Sequence, residues 1–304
     1  MRTSFIVTCA CAAGLAFCSL ANAQNEGRPG WPAGPSKQAA NQNDGRPGWK
    51  ADSSSFVDKL YFTTDVGINW MPDVKLDDIG DSAVLNGVVN AFTFTNLKYK
   101  TEVGMRWDYG IGYNFTSNFR VQFESGILSN NIDNWSGTLT ANLPFFGLNP
   151  FTVSGDITDL PGVTYSGKMV QIPFMFAGIY DFNVGDGDRT DKSASASWRF
   201  RPYVGAGVGT VYIDNTSKVR GLGSELDLGG RDWVLAYQAM VGLEYQVADN
   251  WFLSIGYRFL GLTAADFGRP KLNGAELTAL NGNINVKSKA IYNHSLQFGL
   301  RIDF

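Results

Sequence analysis

YKTEVGMRWDYGIGYNF, residues 99–115, alternates along almost its whole length. Tyr99, Val103, Met105, Trp107, Tyr109, Ile111, Tyr113 and Phe115 fall on one side. Lys100, Glu102, Gly104, Arg106, Asp108, Gly110, Gly112 and Asn114 fall on the other. A period of two over that length is the signature of a strand, and no helix divides its residues in this way. After the link Thr116-Ser117-Asn118, the stretch FRVQFESGIL (119–128) sets Phe119, Val121, Phe123 and Ile127 against Arg120, Gln122, Glu124 and Gly126. So short a link predicts an antiparallel hairpin between the two.

The same reading extends in both directions. LYFTTDVGINW (60–70) places Leu60, Phe62, Val66, Ile68 and Trp70 opposite Asp65, Gly67 and Asn69. Further alternating segments lie at about 168–182, 198–213, 232–247, 250–262 and 289–304, which predicts eight strands. Their connections alternate between long (71–98, 131–167, 214–231, 263–288) and shorter (116–118, 183–197, 248–249), as in an up-and-down barrel with its short turns on one side of a membrane. The count becomes ten if 83–95 or 137–155 pair within the sheet.

The two faces decide between a soluble sandwich and a membrane barrel. A sandwich buries its apolar face and exposes one dense in Lys and Glu. Here the polar face is dominated by Gly mixed with Arg, Asp and Glu. The apolar face carries aromatics near the strand ends, among them Trp70, Tyr99, Phe115, Phe119, Tyr180, Tyr212, Tyr245, Trp251 and Phe304, where interfacial girdles lie. The fold class expected is therefore all-β, a closed antiparallel transmembrane barrel with lipid outside and a polar, filled lumen inside. Eight strands enclose an interior that side chains can fill. Asp65, Glu102, Asp108, Glu124, Asp181, Glu244 and Asp303 are expected to face inward against Arg106, Arg120, Arg199, Arg201, Arg258 and Arg301. Such a balance of signs predicts mutual pairing and a plug, since unpaired ions in a constricted interior are costly.

Composition supports this frame: 35 Gly, 13% aromatic residues and only 17% charged residues among 304. The net charge of -3 gives no basic surface of the kind nucleic acid requires. Met1-Arg2, the apolar run Phe5 to Phe17 and Ala21-Asn22-Ala23 before Gln24 predict a secretory signal peptide over 1–23. Cys9, Cys11 and Cys18 all lie within it, so neither disulfides nor thiolate metal sites are expected after cleavage. Residues 24–58 are rich in Gly, Pro, Asn and Ser and read as a flexible tail. It carries the duplicated units NEGRPGW (25–31) and NDGRPGW (43–49), with Trp31 and Trp49 as candidate anchors for a periplasmic or cell-wall partner.

In the last strand, Tyr292, His294, Leu296, Phe298, Leu300 and Ile302 face lipid, while Asn293, Ser295, Gln297, Arg301 and Asp303 face the lumen. This strand is expected to close the barrel against the first, leaving no free edge. PYVGAGVGTVYID, AYQAMVGLEYQVADNWFLSIGYRF and HSLQFGLRIDF resemble the last four strands of the outer-membrane β-barrel domain family, the opacity-type and OmpA-transmembrane-like barrels. The resemblance covers residues 59–304 and is most specific from Arg201 onward. It implies a bacterial outer-membrane location, a tail in the periplasm, and surroundings of outer-membrane lipid and lipopolysaccharide. It also implies that Phe304 acts as the signal read by the barrel-assembly machinery. The chain departs from full-length OmpA-like proteins in stopping at the barrel, so wall anchoring through a C-terminal peptidoglycan-binding domain is not implied.

Other motifs yield to context. GAGVGT (205–210) lies within a continuing strand, where a nucleotide loop would open a helix. DGDRTD (186–191) lacks the ligand order of a calcium loop. His294 and Ser295 are a catalytic pair in name only, because adjacent strand residues point to opposite faces. No cofactor is expected. The expected role is envelope structure and surface interaction through four long extracellular loops, with Phe145, Phe146 and Phe151 as a candidate binding patch. A small channel for ions or apolar solutes is the alternative, and a lipid-modifying enzyme the weakest of the three readings.

Overall fold

The computed structural model describes residues 56–85, 88–143, 148–156, 159, 161–182, 200–221, 223–248, 250–276 and 281–304. A 3-10 turn at Val57–Lys59 leads into β1 (Leu60–Trp70), followed by β2 (Val74–Lys75), β3 (Ile79–Leu85), β4 (Val88–Thr101), β5 (Gly104–Asn114) and β6 (Phe119–Leu143). Then come β7 (Leu148–Asp156), β8 (Thr164–Asp181), β9 (Phe200–Gly221), β10 (Ser224–Asp227) and β11 (Gly230–Ala248). The remaining strands are β12 (Trp251–Leu262), β13 (Lys271–Leu272), β14 (Ala275–Glu276) and β15 (Ile291–Asp303).

Eight of these form a closed antiparallel ring in the order β1, β5, β6, β8, β9, β11, β12, β15 and back to β1. The closing pair runs from Tyr61 opposite Asp303 to Trp70 opposite His294. At the short-turn end, Thr116 Oγ1 accepts from the backbone N–H of Asn118 (3.2 Å) and of Phe119 (2.9 Å), fixing the β5–β6 hairpin.

Segments 83–95 and 137–155 do pair, but outside the ring. The distal half of β6 is flanked by β4 on one side and β7 on the other, and β3 pairs with β4. They extend the sheet at the long-loop end and leave the barrel at eight strands. One consequence corrects the reading of residues 99–115. That stretch is two strands, because β4 leaves the ring to follow β6 and the chain turns between Thr101 and Gly104. Tyr99 therefore lies opposite Val74 and Trp135 with 0% exposure, not in a lipid-facing girdle.

The ring's outer wall is an apolar band. Val66, Ile68, Met105, Ile111, Phe123, Phe176, Val208, Leu235, Leu253, Ile255 and Phe298 are all exposed there. Aromatic rings crowd both margins. Toward the short turns Phe56 stacks on Tyr113 at 5.3 Å, Tyr113 meets Phe115 at 5.2 Å and Phe200 meets Tyr245 at 4.9 Å. Toward the long loops Trp70 stacks on His294 at 5.6 Å, Phe259 on Tyr292 at 6.0 Å and Phe174 on Trp233 at 5.7 Å. Rings with an apolar body and a polar edge suit the interface between hydrocarbon and water.

Candidate functional site

The interior is built in tiers, because every second residue of each strand points inward. Nearest the short turns, Arg120 donates to Glu244 Oε1 at 2.6 Å and lies 3.1 Å from Asp181. Arg301 lies 3.1 Å from Glu244 and 3.3 Å from Asp303, and its guanidinium sits 4.0 Å from the centre of the Phe252 ring. Arg201 reaches Asp181 at 3.9 Å from a partly exposed position. Tyr61 spans this tier and donates to Gln122 Oε1 at 3.2 Å. Its ring lies over Gly112, where any Cβ would collide with it.

The next tier joins Arg106, Asp108, Glu124 and Arg258. Arg106 Nε donates to Asp108 Oδ2 at 2.6 Å, and Arg106 is 0% exposed. Arg258 donates to Glu124 Oε1 and lies 3.7 Å from Asp108. The amides of Gln122 and Gln238 complete the Glu124 carboxylate at 2.8 and 2.7 Å, and Gln297 donates to Asp108 at 2.5 Å. Asp65 is placed in this region by Gly299, whose missing side chain leaves room for its carboxylate, and it accepts from Ser254 Oγ at 3.5 Å.

Above the charges comes a ring of neutral amides. Asn69 donates to Asn130 (2.7 Å) and Asn293 (3.0 Å), Ser295 Oγ donates to Asn69 (2.7 Å), and Asn293 donates to Gln171 (2.8 Å). Beyond it the polarity inverts. Leu128, Ile132, Met169, Met175, Val211, Ile213, Leu260, Leu262 and Ile291 of the strands pack inward. They meet Met71, Val74, Leu76, Leu97, Leu228, Phe267, Ile284 and Val286 from the intervening segments in one hydrophobic core. A wholly polar lumen was the expectation; the correction has a plain cause. The strands outrun the apolar band, so their outer face turns polar and their inner face takes over the burial that lipid provides below. In β9 the change is visible within one strand: Gly205, Gly207 and Gly209 face inward below, and Val211 and Ile213 above.

Among the described residues, the sequence-derived inward charges thus meet inside the barrel, with one exception. Glu102 is exposed, at the turn between β4 and β5, where it accepts from Asn131 Nδ2 at 3.2 Å. It missed the lumen because the alternation is broken by that turn. Asn69 and Asn293 stand on the inward face their parity predicts, while Asn130, Gln171 and Gln238 were the overlooked part of the network; their signal was the same inward parity, without a charge to draw the eye. Arg199, Phe145, Phe146, Trp31, Trp49 and residues 186–191 lie outside the described residues. Phe151 is described through its backbone alone, in β7 opposite Ala141. Phe304 closes the chain with its N–H donating to Leu60 O at 3.1 Å.

His294 and Ser295 point to opposite sides of β15. His294 Nδ1 lies 2.6 Å from the Tyr257 hydroxyl on the outer wall, and Ser295 is buried in the amide ring. Outside the apolar band, charges pair across strands. Lys100 lies 2.6 Å from Asp156, and Arg220 lies 2.7 Å from Glu225. Hydrogen bonds from Lys218 and Arg220 hold the Glu225 carboxyl below the usual carboxylate range.

The chain is similar to several known proteins. Neisserial surface protein A is similar at 15% identity, with 81% of this chain and 97% of that one covered and a TM-score of 0.34. OprG of Pseudomonas aeruginosa shares 14% identity over 81% of this chain and 97% of its own, with a TM-score of 0.38. A Rickettsia canadensis (strain McKiel) protein, named provisionally as an adhesin, is 23% identical over 167 residues, 55% of this chain. The match spans 62% of that relative's length. The family described as outer membrane protein beta-barrel domain matches residues 10–304. With its closed ring, girdled apolar wall and filled interior, the chain belongs to the outer-membrane β-barrel domain family of proteins.

Proposed function

We propose that this barrel acts as a plugged membrane scaffold whose long-loop end is a preformed surface for interaction outside the cell. The observation that carries the reading is the hydrophobic core at that end. Segments that would otherwise be free loops, such as Met71 to Ile79, Ala265 to Phe267 and Ile284 to Val286, insert apolar side chains into the mouth of the barrel. A pore would leave that mouth wet. A rigid, closed mouth instead presents the overrunning strands β4, β6, β7, β9 and β10 as a fixed platform, and rigid platforms are where binding surfaces are commonly carried.

The provisional adhesin name of the Rickettsia relative agrees with an outward-facing role. In this reading the short turns and the tail, residues 24–58, face the periplasm, where the Trp31 and Trp49 units have access to a wall or soluble partner. Phe304 is then offered to the barrel-assembly machinery. No catalytic step is assigned: the lone histidine rests on the lipid-facing wall, turned away from the buried Ser295.

The test pairs a measurement on the purified, refolded barrel with one on intact cells. Planar bilayers should show no steady openings, and intact cells displaying the protein should gain adherence to surfaces that vector-only cells lack. Regular single-channel steps would overturn the plugged reading in favour of a channel. Unchanged adherence across a panel of surfaces would overturn the interaction reading.

A further inference from the structure

The sheet that overruns the ring carries an ordered array of hydroxyls. Thr93 of β4 lies opposite Thr140 of β6, which lies opposite Thr152 of β7. Two residues along, Thr95 lies opposite Thr138, which lies opposite Ser154. Residues paired directly across strands share a face, so these two rows form one patch. The hydroxyls already touch: Thr138 Oγ1 is 2.9 Å from Ser154 Oγ, and Thr140 Oγ1 is 3.3 Å from Thr152 Oγ1. The rows repeat at about 7 Å along the strands and about 4.8 Å across them.

The array faces outward. The intervening residues Phe94 and Leu139 fall on the opposite side, and Phe92 and Phe94 pack against the hydrophobic core. Thr93, Thr140, Thr152 and Ser154 are exposed. Neither row contains a charge or an aromatic ring; beside them, Lys98 pairs with Asp73 and Lys100 with Asp156, and the exposed Asp78 carboxylate accepts from the backbone N–H of Asn96 next to Thr95. The patch also continues upward from the lipid-facing strip of β6. Thr138 and Thr140 lie about 25 to 35 Å along that strand beyond its upper aromatic margin, at about 3.4 Å per residue. Anything standing beside the barrel at that height rises from the surrounding membrane.

We propose that this Thr/Ser array binds the uncharged part of the saccharide chains borne by neighbouring outer-leaflet glycolipids. A hydroxyl both donates and accepts, as sugar hydroxyls do, so two facing arrays can exchange hydrogen bonds in any local phase. The sheet holds the protein's half of the exchange rigid, which lowers the ordering entropy lost on contact. The Asp78 carboxylate bordering the rows repels phosphate and accepts from hydroxyls, which makes an uncharged saccharide the complementary surface. This inference rests on the reading that the long-loop end faces outward.

The experiment uses the full chain in nanodiscs prepared with equal amounts of lipopolysaccharide bearing a long neutral saccharide and the same lipid truncated near lipid A. Wild type should retain the long form over the truncated form on delipidation by several-fold. Thr138→Val with Thr140→Val and Thr152→Val should bring that ratio to parity, as should Thr140→Lys, which blocks the rows without enlarging apolar surface. Equal retention by wild type, or an unchanged preference in both variants, would overturn the proposal. So would binding of a free neutral polysaccharide with no preference between the lipids, which would assign the patch to foreign glycans. Orientation is read separately, by labelling Thr152→Cys on intact cells with an impermeant maleimide. Failure to label overturns the outward reading and the proposal with it; labelling without saccharide preference overturns the proposal alone.

Discussion

At the scale of single residues, the lumen shows how a small barrel tolerates buried charge. Glu124 is completed by Arg258 and by the amides of Gln122 and Gln238, so its lone pairs are used and its charge is matched. Removing Arg258 strands that carboxylate inside the wall. Arg258→Ala should lower unfolding stability in lipid by about 3 kcal/mol, since breaking a buried pair leaves an uncompensated charge. Adding Glu124→Gln should recover much of the loss, and urea titration of the single and double variants measures both. Steric room matters as much as charge. Gly112→Val would drive two methyl groups into the Tyr61 ring and should destabilise the barrel by about 1 to 3 kcal/mol. Circular dichroism during denaturation would show the shift, and Tyr61→Ala in the same background should reduce it.

At the scale of elements, the legibility of the fold follows from where alternation is unbroken. β1, β8, β11, β12 and β15 read correctly because each keeps one polarity on each face through the lipid band, where lipid enforces it. The β4–β5 stretch misled because two strands with compatible parity abut at Glu102 and Val103, and parity alone does not reveal a change of partner. The capping core was hidden for a different reason. Val74, Leu76, Phe267, Ile284 and Val286 lie in segments whose alternation is too short to mark a spanning strand, and only the three-dimensional path brings them over the barrel mouth. Phe267→Ala should therefore loosen that cap, at a loss of about 3 to 5 kcal/mol locally, while the ring beneath stays assembled. Limited proteolysis should then cut within 263–290 without loss of the heat-resistant band. The short strand β10, held between β9 and β13, has its own pH dependence. The Glu225 carboxyl titrates below its ordinary range in the folded chain, so its pairing with Lys218 and Arg220 is intact above the ordinary carboxylate pKa. It is lost as pH falls through the lowered value. Amide exchange in β10 should accelerate on acidification, and Glu225→Gln should show the fast rate at neutral pH as well.

At the scale of the whole molecule, everything depends on the seam between β1 and β15, the first and last ring strands. An open sheet of these strands would expose two apolar edges to lipid with unpaired backbone groups, each costing several kcal/mol, so closure is what makes spanning possible. The seam also offers a direct probe of closure. Ile68 and Leu296 lie directly opposite each other. Paired residues in antiparallel strands have Cα separations of about 4.5 to 5.5 Å, within the range a disulfide spans. The sequence's cysteines are Cys9, Cys11 and Cys18, so Ile68→Cys with Leu296→Cys introduces one selectable pair within the ring. Oxidation should join the two in high yield and close a covalent loop around the other ring strands. Long loops gain the most from such a link, on the order of 5 kcal/mol in the chain-entropy account. The oxidised protein should resist the heat-induced change in gel mobility that the reduced protein undergoes, and reductant should restore it. A sheet left open between β1 and β15 would hold these positions apart and would not oxidise to the intramolecular product.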